Sequence, residues 1–547
     1  MTPPRVLPLL RRSLPLLLLW SLAPGCDEPT SGGCIGSECP ASGDDAGTSS
    51  DAGSSDAGSP VDAGSSDAGP PVDAGNPLVL REITTYYTRN GVVPQPRDFA
   101  DSPAELLAYD GGTPVTLSGT VVEPGRMRFD VPPGTYVVKL SATRYVVTSE
   151  RWVDINDRRF GRPDRGGNPI EVPIKLPAPL ELTGLQPTHA PGTLGETTLG
   201  FSSLDIEETG SLEPSRDFTD GQTTLSDPDA TYTTYYGTVP RFDAAQGDSV
   251  WVLQYEGRDA GEPMDAGLPW KSESLVAAAH LDPYTFDGGS LSLTATFSAV
   301  PQRTAHVEWH REDFNALRTV SATSGRSDTY FEFYPMLRDP RDGWIDYSVS
   351  PLHSFYTGLN GPQTLVTRDI PYGLPYPAAW EPVAYFSHSY SFTQPNHDGS
   401  RSVSLSETAT SFLTLSSLAS QPSVRPNIGM PQGLKVEGQP AFPSRLLETT
   451  TPLVTWEAPF GTPSDYVLAI RRHNTTAPTR ILVARIYLPP EHRSVRIPPG
   501  LLTAGNTYSL ELLASHADPQ PPGQLPSMRY VIPFDTATTV SGLLTVP

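Results

Sequence analysis

The sequence predicts an all-β protein, organised as tandem β-sandwich modules that follow a signal peptide and a disordered tether. Its 547 residues include 60 prolines and 47 glycines, which suit many short strands joined by turns better than long helices. Eight tryptophans, 22 tyrosines and 18 phenylalanines supply the apolar side chains that folded cores need. At about 100–200 residues per domain, residues 78–547 are long enough for three or four domains.

Residues 1–25 have the pattern of a secretory signal peptide. Three arginines precede an apolar run at 14–22, and small residues follow it. The run is about half as long as a bilayer span. The segment Leu22-Ala-Pro-Gly-Cys26 resembles the lipobox of bacterial lipoproteins. The resemblance implies that Cys26 is lipidated and anchors the chain in the bacterial cell envelope. We expect the outer membrane or cell surface ahead of the inner membrane, but Asp27, just after Cys26, resembles an inner-membrane retention signal of some bacterial lipoproteins, so the choice of membrane stays open. An ordinary signal peptide is the alternative.

Residues 26–77 are predicted to form a disordered tether. The tripeptide Asp-Ala-Gly recurs six times between 45 and 75, and residues 27–77 hold ten acidic and no basic side chains. Such a segment has little to bury, so it stays extended and reaches on the order of 40 Å. Calcium loops place oxygen ligands closer together than these aspartates stand, so we favour a plain spacer. Cys34 and Cys39 can form a small disulfide loop in an oxidising compartment.

The charge of the chain argues against nucleic acid as a partner. The formal net charge is −23 at pH 7. An acidic surface repels phosphate backbones, and no cluster of Lys and Arg offsets this repulsion. The expected partners are a membrane, through the lipid anchor, and polysaccharide, peptidoglycan or other envelope proteins. We expect no cofactor.

Residues 78–180 are predicted to form the first β-sandwich. The run 126–131 alternates polar and apolar side chains, as a half-buried strand does, and a Pro-Pro-Gly turn leads into a second strand at 135–140. The segment Phe129-Asp-Val-Pro-Pro-Gly-Thr-Tyr136 resembles the carboxypeptidase regulatory-like, transthyretin-like sandwich. That resemblance implies a structural or binding module and supplies no catalytic residue.

Residues 181–425 are predicted to form a central β region of one or two sandwiches. Strand-like runs occur at 249–255, 291–297 and 304–310, and clusters of Asp, Gly and Pro separate such runs. A hydrolase active site, if the protein has one, is expected in this region.

Residues 432–547 contain three strand-like runs, at 453–459, 465–471 and 502–512. This segment resembles a fibronectin type III domain, in which Trp456 matches the core tryptophan of an early strand. Leu502 and Tyr508 match the corner before a late strand. A tyrosine at such a corner buries its ring while its hydroxyl bonds to backbone upstream.

The sharpest metal-site candidate is the set His306, Glu308 and His310. Alternate residues of a strand share a face, so all three can point the same way, and two histidines with a glutamate are a plausible zinc set. The intervening residues are apolar, however. We therefore expect these three side chains to form the solvent face of a half-buried strand, with no metal.

Two further polar clusters suggest turns rather than sites. Asp154, Asn156 and Asp157 begin like a calcium loop, but two arginines follow where ligands would be needed, so we expect a polar turn. His397 and Asp398 stand near serines in a segment of turn composition. Because the sequence has no Gly-x-Ser-x-Gly motif, we do not expect catalysis there.

The aromatic stretch 371–377, with Trp380 just after it, suggests a stacking platform for sugars or peptides. Packing across the edge of a sandwich is the expected alternative. The leading functional hypothesis is therefore a non-enzymatic, lipid-anchored envelope or surface protein that displays binding or adhesion modules, and its fold-level part rests on analogy. A hydrolase and a structural spacer or assembly subunit are the two alternatives.

Overall fold

The computed structural model describes residues 77–547, apart from 111–112, 165–166, 170–174, 192, 194, 235–237, 264–268, 321–324, 340–342, 346–349, 360–363, 378, 474–479 and 518–530. The signal peptide, Cys26, Cys34, Cys39 and the tether up to residue 76 lie outside the described residues.

The strands of the first region are β1 Leu78–Thr88, β2 Gly91–Pro96, β3 Glu105–Asp110, β4 Thr113–Ser118, β5 Thr120–Glu123, β6 Arg126–Phe129, β7 Tyr136–Lys139, β8 Arg144–Thr148 and β9 Trp152–Phe160. The next strands are β10 Gly167–Pro169, β11 Lys175–Pro177, β12 Leu180–Thr183, β13 Thr197–Ser203, β14 Glu208–Glu213, β15 Leu225–Asp227, β16 Thr231–Thr234, β17 Thr238–Pro240, β18 Val250–Pro263, β19 Pro269–Leu281, β20 Leu293–Thr296 and β21 Ser298–Ala299.

The rest of the central region contains β22 Gln302–His310, β23 Arg326–Asp339, β24 Gly343–Ile345, β25 His353–Leu359, β26 Leu365–Gly373, β27 Trp380–Pro395, β28 Ser402–Thr414 and β29 Ser423–Val424. The last region contains β30 Gln432–Val436, β31 Gln439–Pro440, β32 Arg445–Leu446, β33 Leu453–Glu457, β34 Asp465–His473, β35 Arg480–Leu488, β36 Ser494–Arg496, β37 Thr507–Ala517, β38 Phe534–Val540 and β39 Leu544–Thr545.

The described residues contain two short α-helices, α1 Arg311–Ala316 and α2 Leu415–Ser420, and one 3-10 turn, Ala244–Gln246. Each of these two helices has six residues, and neither could span a bilayer. The prediction of an all-β fold is confirmed. Strand β22 shows the physical reason, because Ala305, Val307 and Trp309 are buried while their neighbours on the strand are more exposed.

One main sheet of 22 strands runs through the whole described fold. Its longest path of neighbours is β4–β3–β7–β8–β35–β34–β37–β38–β28–β27–β23–β25–β19–β18–β13–β14–β16–β11. Since strands from all three predicted regions belong to this path, backbone hydrogen bonds connect the regions to one another.

Four smaller sheets of three to five strands complete the layers, and β10 and β17 form a separate two-stranded sheet. The four are β5–β6–β1–β9 with β2 beside β1, β15–β12–β20, β26–β22–β29, and β31–β30–β33–β36. Their apolar side chains share buried clusters with those of the main sheet. Trp309 of β22, for example, packs edge-on against Phe331 of β23, with ring centroids 5.9 Å apart. Each small sheet therefore forms the second layer of a sandwich.

Strand pairs join the first and last regions, and the central and last regions. Strand β8 pairs in parallel with β35, with Arg144 opposite Arg485. Strand β28 pairs antiparallel with β38, with Ala409 opposite Ala537. Strand β35, an edge strand of its own region, thereby gains a neighbour from the first region.

The last region has the core geometry expected from its sequence. Trp456 of β33 is buried and packs edge-on against Tyr466 of β34, with ring centroids 5.4 Å apart. The ring of Tyr508 is also buried, and its hydroxyl oxygen accepts a hydrogen bond from the Thr503 backbone N–H at 2.9 Å. This bond fixes the corner that leads into β37.

The prediction of a polar turn at Asp154, Asn156 and Asp157 is wrong. All three residues lie within strand β9, which pairs in parallel with β1. Their side chains bond to neighbouring strands, because Asn156 Oδ1 accepts from Thr85 Oγ1 at 2.8 Å and Asp157 Oδ2 accepts from Arg144 at 3.0 Å. Cross-strand partners therefore stabilise a segment whose composition alone suggests a turn.

The segment around His397 and Asp398 is the turn that its composition predicts. It connects β27 to β28, where the Asn396 backbone N–H donates to Arg401 O at 2.8 Å. Asp398 Oδ1 accepts from the Ser400 backbone N–H at 2.8 Å, so this carboxylate holds the turn closed.

Candidate functional site

A cavity of about 400 Å³ lies between the sheet β26–β22–β29 and the main sheet. Its volume falls in the range of small-molecule sites, roughly 300–1,000 Å³. We call it the interlayer cavity, and it is lined by Arg258, Ser272, His353, Phe355, Arg368, Asp369, Ile370 and Pro371.

Strand β26 supplies Arg368 from the smaller sheet. Its buried positions alternate, with Val366, Ile370 and Tyr372 facing the core. Arg368 is two residues from both Val366 and Ile370, so its side chain lies on the same inner face of the strand as theirs. Arg368 is half-buried there. It makes no hydrogen bond or ion pair with any residue that the structure describes. A charged side chain therefore occupies a position at which the alternation along β26 predicts an apolar residue.

Strand β18 supplies Arg258 from the main sheet. Arg258 lies directly opposite Ser272 of β19, and Ser272 lies opposite Phe355 of β25, so the three side chains share one face. Arg258 contacts the Glu256 carboxylate at 3.5 Å. Its Nε is buried and has no hydrogen-bond partner among the described residues. The two guanidinium groups thus line the cavity from its two layers.

His353 of β25 is buried, with 1% of its surface exposed, and provides a neutral imidazole. Burial lowers the pKa of His353 to about 3, although a hydrogen bond to the Pro371 carbonyl opposes the shift. Its Nδ1 lies 2.7 Å from Ser274 Oγ, and the Ser274 hydroxyl donates to Pro371 O at 3.1 Å. Nε2 is buried and has no hydrogen-bond partner in the described part of the chain.

Asp369 also lines the cavity, but its carboxylate is paired outside it. It lies on the outer face of β26, where its side chain is 74% exposed and bonds to His306 Nδ1 at 2.7 Å. This hydrogen bond raises the pKa of His306. The charged groups on the inner faces of the cavity are therefore the two arginines.

The candidate metal ligands lie on the outer side of strand β22 and are divided between two polar groups. His306 contacts Asp369 and, at 3.7 Å, Glu308. His310 contacts Glu312 at 3.3 Å, and its Nε2 lies 3.2 Å from the Arg425 guanidinium. Among the described residues, no group of three or more His, Cys, Asp or Glu side chains is placed to hold a metal ion. A guanidinium beside His310 also opposes a second cation there.

The aromatic stretch 371–377 does not form an exposed platform. Tyr372, Tyr376 and Trp380 are buried. Trp380 stacks on Phe160 of the first region with ring centroids 5.0 Å apart, and Tyr376 packs against Trp251 at 5.2 Å. The rings are therefore packed inside the fold rather than exposed, and they join the first region to the central one.

The buried carboxylates of the main sheet serve to connect strands. Glu332 accepts hydrogen bonds from the hydroxyls of Tyr334, Tyr356 and Ser354. Glu407 accepts from the backbone N–H groups of Thr319 and Val320 and from two threonine hydroxyls. Burial raises the pKa of both carboxylates. Their hydrogen bonds resemble structural networks rather than a poised acid and base.

The residues of the interlayer cavity were not singled out by the sequence analysis. The signal that could have found Arg368 is its place in the alternation of strand β26, where apolar residues stand on both sides. No such signal marks Arg258 or His353, because neither the run 250–263 nor the run 353–359 indicates which sheet packs over it. Searches with models of known protein families and against curated proteins found no match to this sequence.

Proposed function

We propose that the protein is a lipid-anchored protein of the bacterial cell envelope whose folded part is a non-enzymatic binding unit. The lipobox-like segment ending at Cys26 and the acidic tether support the anchor and the display. The sandwiches resembling regulatory-like and fibronectin type III domains support a display role by analogy.

The interlayer cavity is the observation that carries the binding role. Its polar lining comprises two guanidiniums, a serine hydroxyl and a neutral imidazole, which are groups that hold a ligand in place. They converge between two layers of rigid sheet, and such an arrangement keeps binding groups in position before the ligand arrives.

The hydrolase alternative has one feature to consider, the contact between Ser274 and His353. Ser274 is fully buried, and its hydroxyl donates to the Pro371 carbonyl. A catalytic serine needs access to substrate and a base that accepts its proton. The low pKa of His353 makes it a weak base, so this pair favours a structural role.

A second candidate function is assembly with other copies or envelope proteins. Val92 and Val93 of β2 and Val121 and Val122 of β5 have 40–55% of their surface exposed. Exposed valines on strands at a sheet edge suit edge-to-edge association. Light scattering after size-exclusion chromatography measures the molar mass and tests this candidate. A wild-type protein that is monomeric, with the same mass as Val93→Lys, would reject it.

The experiment for the proposed anchor is the intact mass of the native protein, extracted from membranes with detergent. A mass matching residues 26–547 plus two or three acyl chains would support the proposal, and Cys26→Ala should abolish both the added mass and membrane association. A soluble, unacylated wild-type product would reject anchored display.

A further inference from the structure

We propose that the interlayer cavity binds a small hydroxylated organic acid, such as a sugar acid, with its carboxylate held by Arg258 and Arg368. This ligand class rests on the proposed binding function and specifies its chemistry.

The charge of the cavity selects an anion. Arg258 and Arg368 line the cavity from opposite layers, and the Asp369 carboxylate bonds to His306 on the outer face. Arg368 has no partner among the described residues, and Arg258 has one contact with Glu256 at 3.5 Å. Guanidinium groups match the geometry of a carboxylate, and such charge-assisted hydrogen bonds are stronger than neutral ones. A carboxylate of the ligand would give both guanidinium groups a negatively charged hydrogen-bond acceptor.

The imidazole selects a hydroxyl group on the same ligand. His353 Nε2 is buried and has no hydrogen-bond partner in the described part of the chain. An unsatisfied buried polar atom is unfavourable, so a ligand hydroxyl, which can either donate or accept, would be favoured there over an apolar group. Because His353 is neutral, it adds no positive charge of its own.

The walls and the volume limit the size of the ligand. Phe355, Ile370 and Pro371 provide apolar surface beside the polar groups. A cavity of about 400 Å³ accommodates a single sugar ring with its substituents, whereas a long polymer could place only one residue inside. The ligand is therefore a free sugar acid or one acidic unit of a chain.

Calorimetric titration of the full-length protein in detergent tests the proposal, with glucuronate as the probe. Glucose is the neutral control, and inorganic sulfate is the control for a bare oxyanion. We expect one glucuronate to bind per chain, glucose to show no binding, and sulfate to bind more weakly than glucuronate. Sulfate binding as tightly as glucuronate would overturn the claim that the ligand's hydroxyls are recognised.

Three variants assign the binding to the cavity. Arg368→Gln and Arg258→Gln should each weaken glucuronate binding about tenfold to a hundredfold, the loss expected for one charge-assisted hydrogen-bonded contact. Arg303→Gln removes the same charge from an exposed position on strand β22 and should leave the affinity unchanged. Unfolding curves of each variant verify that the fold is intact, and Arg258→Gln remains decisive if Arg368→Gln does not fold.

Two results would overturn the inference. One is the absence of glucuronate binding at millimolar concentration, and the other is wild-type affinity in both Arg368→Gln and Arg258→Gln. These outcomes are distinct from failure of the proposed function, because the titration does not depend on acylation. If the protein is soluble and unacylated but binds glucuronate, the proposed lipid anchor is rejected and the proposed ligand class stands.

Discussion

Replacing Asp535 by asparagine should stabilise the protein at neutral pH and reduce the pH dependence of its stability. Asp535 lies on β38 opposite Ser411 of β28, and it is almost completely buried. The Ser411 hydroxyl donates to one carboxylate oxygen, and Asn427 Nδ2 donates to the other at 2.8 Å. Burial outweighs these bonds and raises the pKa of Asp535 from 3.8 to about 6.

The direction of the effect follows from proton binding. Between about pH 4 and pH 6, the folded state holds more protons at this carboxyl group than the unfolded chain does. The free energy of unfolding therefore falls as the pH rises through this interval. A pKa difference of about 2 corresponds to about 3 kcal/mol, so the ionised carboxylate costs about that much above pH 6. An asparagine keeps the shape without the charge, and its amide can donate to Ser411 Oγ while its oxygen accepts from Asn427.

Urea unfolding followed by tryptophan fluorescence, at several pH values from 4 to 8, measures the effect. Relative to Asp535→Asn, the wild type should lose up to about 3 kcal/mol of stability between pH 4 and pH 7. Asp287→Asn, a change at an exposed turn, is the matched control and should alter stability by less than about 0.5 kcal/mol. Equal pH dependence of wild type and Asp535→Asn, or a less stable variant at pH 7, would refute the reasoning.

Two further predictions concern the packing of the regions. Tyr508→Phe should destabilise the protein by about 0.5–1.5 kcal/mol, because the Thr503 N–H loses its hydrogen bond to the Tyr508 hydroxyl, and urea unfolding checks the value. An unchanged stability would show that this hydrogen bond does not hold the corner. Trp380→Ala should cost about 3–5 kcal/mol in the same assay through lost contact with Phe160, whereas Leu446→Ala at an exposed position should cost little. Similar losses in both variants would argue that Trp380 does not join the regions.

Local sequence patterns were sufficient for much of the secondary structure. Alternation predicted the strand containing Ala305, Val307 and Trp309, and the burial of those three residues agrees with it. The turn at His397 and Asp398 and the corner at Tyr508, with its buried ring, could also be predicted, since each depends on residues close together in the chain. Such features follow from the period of side chains along a strand and from the conformations that turn residues prefer.

The pairing of strands that are far apart in the chain could not be predicted from the sequence, and this pairing decided the architecture. Nothing in the segments 144–148 and 480–488 identifies them as neighbours, because any half-buried strand offers the same backbone hydrogen-bonding groups. The same limitation explains the error at Asp154, where bonds to another strand outweigh turn composition. The sequence by itself therefore determined the all-β class and many of its strands. Only the tertiary structure brought Arg258, His353 and Arg368 to one cavity, because their convergence depends on contacts between residues far apart in the chain.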